Sequence, residues 1–557
     1  MWRIWIVFCF ISISFLSIIF RLFYWQILRG DHLRSQATSQ YYQEFLLPSK
    51  RGNILANDNK PLAMNQIARL IYAEPKKVKD PDKIAGMVAS ILSLDKQEIR
   101  TKLSDQSRVW TSLAHRVEFS KSELLKEFLS LGLGFEDEPM RFYPEASMAA
   151  HLLGFVGYDD QGRDKGYFGL EGYYDRELTG KSGKLQVEKD AKGSTILIAN
   201  SMRLEPEDGR TLVLWLDKTI QRAVEERLSE AIAKYGAKEG SVVVLDPKTG
   251  GIIAMAHVPS YDPSQYSMYT KDLYKNPIVN SSYEPGSTFK TLIMAAALEE
   301  NLITPTTIVE ETGPVVVGDY AIRTWNNKYN GKISIAQVLE YSSNVGMVFV
   351  GKKIGKEKLL QYISRFGFGE KTRIDLEDEA TPVLRENNDW KEIDLATASF
   401  GQGIAVTPIQ MVTAVASLAN GGYLMEPHLV KEIHDGSGKI YTIKPKAIRR
   451  VISQKTASIT TEMMVAAVDN GEAKWAKPKG YRIAGKTGTA QIPVAGHYDA
   501  TKTIASFVGF GPSDNPRFVM LVTLKEPTSS PWGSETAAPL FFAIARDIFG
   551  YYGIAPQ

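Results

Sequence analysis

The chain has 557 residues, 44% hydrophobic and 23% charged, with a net charge of +3 at neutral pH. That composition excludes a disordered chain, and the length calls for two or three domains. The small net charge argues against a dedicated nucleic-acid surface. Cys9 is the only cysteine, which excludes an intrachain disulfide, and the seven histidines show no ligand spacing. Neither a metal site nor a cofactor is therefore expected.

Ile4 to Phe20 contains no charged residue. As a helix it reaches about 26 Å, and Leu22 to Leu28 extends it past the thickness of a bilayer core. Tyr24 and Trp25 read as interfacial anchors. No small-residue cleavage site follows, so an uncleaved membrane anchor is expected rather than a signal peptide. Arg3 precedes the span while Arg21, Arg29 and Arg34 follow it, so charge does not decide the orientation.

Residues 30 to about 205 read as mixed. Arg51-Gly52-Asn53-Ile54 and Asn57-Asp58-Asn59 have strand and turn chemistry, and helical stretches are expected over Asp82–Leu103 and Ser120–Leu131. Thr179-Gly180-Lys181-Ser182 is no phosphate loop, because position 175, where the first glycine belongs, is Asp175. A boundary falls near Glu205-Pro206-Glu207-Asp208-Gly209. Beyond it Thr211–Leu216 reads as a strand, and Asp217 caps an amphipathic helix ended by Gly236. Ser241–Leu245 and Gly251–Ala256 form a hairpin around Asp246-Pro247-Lys248-Thr249-Gly250.

Tyr283-Glu284-Pro285-Gly286-Ser287-Thr288-Phe289-Lys290 then leads into an apolar helix expected to open at about Ser287. Another helical pattern, from Ile335 to Val350, is interrupted at Tyr341-Ser342-Ser343-Asn344. Thr407-Pro408 caps a helix that ends at Gly421-Gly422. Strands return around Lys486-Thr487-Gly488-Thr489 and through Ile504–Gly509 and Phe518–Leu524, before a closing helix over Glu535–Phe549. The fold class is α+β: a mostly antiparallel sheet drawn from both ends of the domain, with a helical insertion between.

Ser287 and Lys290 share one helix face, a turn apart. Alone, Ser-x-x-Lys is a chance pattern. Three motifs in one order, Ser287-x-x-Lys290, Ser342-x-Asn344 and Lys486-Thr487-Gly488, suit serine acylation. Lys290 can take the Ser287 proton only if its pKa falls from about 10.4 toward neutrality, a shift of roughly 4 kcal/mol that burial and a second cation, Lys486, could supply. Ser342 is placed to relay a proton, Asn344 to bind a substrate amide, and Gly488 to let a substrate lie along the strand. Thr487 and Thr489 offer hydroxyls to a carboxylate. The N–H groups of Ser287 and Thr489 are the natural oxyanion hole. Two decoys, Lys248-Thr249-Gly250 and Ser513-Asp514-Asn515, read as turns.

These motifs, with Arg141-Phe142-Tyr143-Pro144, His151-Leu152-Leu153-Gly154, Gly169-Leu170-Glu171-Gly172 and Phe400-Gly401-Gln402-Gly403, resemble the class B penicillin-binding proteins, most of all the septal, cell-division transpeptidase. The resemblance implies a penicillin-binding transpeptidase domain of β-lactamase-like fold at 206–557. Ahead of it would come a short cytoplasmic end and transmembrane anchor at 1–28 and a membrane-proximal pedestal of dimerisation type at 29–205. It implies a monofunctional D,D-transpeptidase on the outer side of the cytoplasmic membrane, acting on peptidoglycan stem peptides ending in D-Ala-D-Ala through a Ser287 acyl-enzyme. β-Lactam antibiotics would acylate the same serine, and a polytopic glycan polymerase and other division proteins would be partners. Arg373 and Glu377-Asp378 stand where this family pattern leads us to expect Gly and Pro-Gly, which puts the local loop geometry in question. The competing readings are an elongation-type transpeptidase, a membrane-anchored serine β-lactamase and an inactive division scaffold. No Glu-x-x-x-Asn pair is convincingly placed to activate water, which disfavours the β-lactamase.

Overall fold

A computed structural model describes residues 1–34, 42–47, 49–188, 202–494 and 497–557. The chain divides into two compact units, residues 1–51 with 179–209, and residues 52–178 with 210–557. In the first, an apolar helix over Trp2–Phe23 continues into a π-helical turn at Tyr24–Leu28. Together they form the one helix among the described residues that is long and apolar enough to cross a membrane. This unit also holds an antiparallel sheet with Gly183–Glu188 between Tyr42–Leu47 and Met202–Leu204.

The second unit is built on two sheets. In one, Thr211–Leu214 pairs parallel with Ile54–Leu55 and antiparallel with Val430–His434. Pro61–Ala73 continues that sheet and pairs with both Thr111–Val117 and Leu133–Phe142. The sheet thus draws strands from both sides of residue 205. Buried Arg141 ties its segments together: its guanidinium donates to Glu171 Oε1 at 2.6 Å and to the Gly52 carbonyl at 2.8 Å. The helix expected over Asp82–Leu103 is two helices, Pro81–Leu92 and Lys96–Ser104, each capped by an aspartate, Asp80 and Asp95. Ser93, in the left-handed region at φ 57°, ends the first.

The other sheet positions the site. Its strands are β1 (Glu239–Leu245), β2 (Ile252–Val258), β3 (Ala484–Val494), β4 (His497–Gly511) and β5 (Phe518–Lys525), in the order β2-β1-β5-β4-β3, all antiparallel. Helix α1 (Lys218–Tyr235) carries the expected Asp217 cap, with Gly236 ending it at φ 61°. The side chains of α1 and of the closing helix Ala537–Tyr551 share one core with residues of β1, β4 and β5. A larger core gathers α2 (Lys290–Glu299), α3 (Asn344–Ile354), α4 (Pro408–Ala419) and α5 (Gln454–Asn470) with residues from the same strands. Thr407 and Gln410 form a capping box ahead of α4, with Pro408 at the first helical position. The two decoy motifs lie in turns, and Lys248 Nζ of one donates to Asn515 Oδ1 of the other at 3.0 Å.

The loop at 368–379 answers the question raised by its composition. Arg373 and Asp378 both adopt left-handed backbone, at φ 66° and 60°. The Glu379 carboxylate holds this geometry by accepting from the Thr372 N–H, the Thr372 hydroxyl and the Arg373 N–H. Asn280 Nδ2 donates to the Asp378 carbonyl at 2.9 Å. The bends that glycine would make easily are kept here by hydrogen bonds.

Candidate active site

The Ser287 segment is wound more tightly than the sequence implies. Gly286–Thr288 is a 3-10 turn and α2 begins only at Lys290. Gly286 takes positive φ, and the Thr288 hydroxyl donates back to the Pro285 carbonyl at 2.6 Å. The Gly286 N–H donates to the Gly401 carbonyl at 3.0 Å. A Cβ on Gly401, itself at φ 81°, would lie 2.2 Å from the Gly286 carbonyl oxygen, so only glycine permits this approach. Ser287 is left half-buried, while Lys290, three residues on, is fully buried.

The second motif joins Ile335–Glu340 to α3. Ser343 caps α3 by accepting from the Gly346 N–H at 2.9 Å, and its hydroxyl donates to buried Glu311. Ser342 is driven to φ 56°. That conformation turns its carbonyl onto the Lys290 amine, which donates to it at 2.6 Å, to Ser342 Oγ at 3.3 Å and to Asn344 Oδ1 at 2.8 Å. Asn344 Nδ2 donates to the Arg323 carbonyl at 3.1 Å. The Asn344 amide is thus fixed at both ends within the protein.

The third motif lies on β3, at one edge of the sheet, where alternate backbone groups face the cleft. Lys486 is buried and donates to Thr487 Oγ1 at 3.0 Å, and Thr489 Oγ1 accepts from the Gly533 N–H at 3.0 Å. Gly488 is needed for a reason the sequence did not disclose. A Cβ there would lie 2.4 Å from Ser506 Oγ and 2.8 Å from Thr288 Cγ2, so the glycine lets β3 press against the Ser287 turn.

Electrostatics follow from burial. Desolvation first, and the Lys486 cation second, hold the Lys290 amine well below the ordinary lysine range, against the opposing pull of Glu472 and Glu311. Burial also pushes Lys486 down to about 8, with Glu472 opposing. The Glu472 carboxyl is raised by its own desolvation, which Lys486 first and Lys290 second counter.

Ser287, Ser342, Asn344, Thr487, Gly488 and Thr489 all line one cleft of about 260 Å³. The three motifs, up to about 200 residues apart in the chain, are therefore brought together, with Lys290 and Lys486 buried beside the cleft. Sequence reasoning missed Trp325, Glu472 and Trp532, which also line it. The Trp325 and Trp532 rings meet edge to face at 5.0 Å between centroids. Gln402, of the Phe400-Gly401-Gln402-Gly403 motif, and Gln491, on β3, line it too. No local pattern marks Glu472, which follows α5 in an ordinary Gly-containing turn.

A half-buried hydroxyl, a buried amine of lowered pKa and a second cation, set against a sheet edge, are the groups that serine–lysine acylation chemistry requires. The chain belongs to the penicillin-binding proteins: the penicillin binding protein transpeptidase domain matches residues 240–549, and the penicillin-binding protein dimerisation domain matches 46–214. Among its relatives, stage V sporulation protein D of Bacillus subtilis is 34% identical over 98% of this chain and 85% of its own. Peptidoglycan D,D-transpeptidase FtsI of Escherichia coli is 29% identical over 96% and 90%. Among solved structures, penicillin binding protein 2X of Streptococcus thermophilus superposes with a TM-score of 0.76 at 26% identity, covering 92% of this chain and 80% of that one. Penicillin binding protein 3 of Mycobacterium tuberculosis, complexed with aztreonam, gives 0.72 at 27% identity over 92% and 98%.

Proposed function

We propose that this protein is a peptidoglycan D,D-transpeptidase in which Ser287 is acylated by a stem peptide ending in D-Ala-D-Ala. The observation that carries the reading is the Lys290 amine, fully buried, of lowered pKa and held by Ser342 and Asn344, which line one cleft with Ser287. Lys290 takes the Ser287 proton as Oγ bonds to the peptide carbonyl carbon. The N–H groups of Ser287 and Thr489 receive the developing oxyanion. Ser342 passes a proton to the departing D-Ala amine, and Lys486 with the Thr487 and Thr489 hydroxyls binds the terminal carboxylate. The substrate lies along β3 as an added strand, and Asn344 meets its amide with the remaining Nδ2 hydrogen. An acceptor amine from a second peptide then takes the acyl group.

The helix at Trp2–Leu28 would anchor the chain, with the N-terminus cytoplasmic, residues 29–205 as pedestal and the transpeptidase domain on the outer side. A glycan polymerase and division proteins are the partners this reading calls for. Similarity to FtsI favours septal synthesis. A second reading, favoured by the 34% identity to a sporulation protein, places the same chemistry in spore formation. Depletion separates them: filamentous growth supports division, spherical cells elongation, and normal growth with failed spores the second reading.

Intact mass after exposure to penicillin tests the chemistry. A stable adduct on the wild type that is missing in Ser287→Ala is expected. Rapid regain of the free mass would instead mark a β-lactamase, and no adduct a scaffold.

A further inference from the structure

A second cavity, of about 320 Å³, adjoins the cleft. Trp325 and Glu472 line both spaces, so an indole and a carboxylate form their common wall. Ser342 and Asn344 face the cleft, while Ser343 between them faces the second cavity. The two spaces therefore meet at the loop that holds the Lys290 amine.

The lining has a definite chemistry. Glu311 is committed to the protein, accepting from Ser343 and from the Asn330 N–H and Nδ2. Glu472 is engaged by Lys486, Lys290 and Ser534, which leaves Glu340 as the carboxylate for a ligand. Trp475 is 65% exposed and Tyr341 38%, large rings held in water beside a polar hollow. Exposed indole beside carboxylate suits an ammonium group, through cation–π attraction and charge. Lys328 and Lys474, at the same cavity, suit a carboxylate.

We infer that this second cavity seats the acceptor: a peptide bearing both a primary amine and a terminal carboxylate. The inference rests on the transpeptidase reading above. An acceptor must approach the acyl carbon from the side by which the first amine left, the side of Ser342 and Lys290, and the second cavity adjoins that side. The bound ammonium first loses one proton to solvent. The neutral nitrogen then bonds to the acyl carbon as the bond from that carbon to Ser287 Oγ breaks. One remaining amine proton passes by way of Ser342 and Lys290 to Ser287 Oγ, leaving an amide and a free serine.

The test uses the full chain in detergent, a D-Ala thioester donor, and Nα-acetyl-L-lysyl-D-alanine as acceptor probe, with propylamine for comparison. Wild type is expected to transfer to the dipeptide saturably and to propylamine poorly. Trp475→Ala and Glu340→Gln should each lower the ratio of transfer to hydrolysis about five-fold or more, chiefly through the acceptor KM. Penicillin adduct yield reports the fold of each variant, and should one variant fail to fold the other carries the test. Ratios equal to wild type, or no preference for the dipeptide over propylamine, overturn the acceptor site while the acylation reading stands. A wild-type chain that neither donor nor penicillin acylates overturns both.

Discussion

The Lys290 amine donates to the Ser342 carbonyl at 2.6 Å, and that carbonyl is aimed by a serine held in the left-handed region at φ 56°. A non-glycine residue there costs about 1–2 kcal/mol, against which stand the hydrogen bonds the lysine makes to Ser342 and Asn344. Strain at Ser342 thus positions the Lys290 amine, while burial and the Lys486 charge depress its pKa.

Acylation should follow a bell-shaped pH profile. Lys290 works as a base when neutral, so the rate rises as pH climbs through its lowered pKa. Lys486 works as a cation, so the rate falls as pH passes about 8. Replacing Lys486 by Gln removes a cation that lowers the Lys290 pKa, and the rising limb should move to higher pH. Second-order penicillin acylation rates from pH 5 to 10 measure both limbs. A rising limb that stays in place in Lys486→Gln would count against the coupling.

Gly488→Ala should slow acylation on the order of 100-fold, because the methyl displaces β3 from the turn that carries Ser287. The unfolding midpoint of the same variant shows whether the loss is local: a large drop in both would mean the strand itself has come away.

Breaking the Arg141–Glu171 pair should be the most destabilising of these changes. Both side chains are almost fully buried, and Glu171→Ala leaves an uncompensated guanidinium, a loss of about 3–5 kcal/mol. Chemical denaturation of the full chain in detergent reads this, and a loss below about 1 kcal/mol would show that water compensates the charge.

Arg373→Gly should stabilise the protein. The Arg373 side chain is exposed, so glycine relieves left-handed strain of about 1–2 kcal/mol and adds about 0.5–1 kcal/mol of unfolded-state entropy. A gain of about 0.5–1 kcal/mol is expected from the denaturation midpoint. An unchanged or lowered midpoint would mean that the Glu379 bonds already hold the bend without strain.

Much of the fold was legible because its signals are local. The Asp217 cap, the Gly236 stop, the Thr407-Pro408 start and the turn chemistry of Pro247 to Gly250 each act within a few residues, and each lies where expected. The helix start at Ser287 was read three residues early, because the 3-10 turn there depends on Gly401, 115 residues further along the chain. The single helix drawn over 82–103 was two, because a run of good helix formers does not reveal that Ser93 turns left-handed.

By itself, then, the sequence determined which groups were available and in what order: a serine with an amine three residues on, a Ser-x-Asn, a Lys-Thr-Gly, and an apolar segment long enough to cross a membrane. Only the tertiary structure decided their environment. Burial of Lys290, the Lys486 charge beside it, the contact of Gly488 with Thr288, and Trp325 and Glu472 between two cavities all join segments far apart in the chain. Desolvation and packing depend on what surrounds a residue in space, and local pattern carries no record of that.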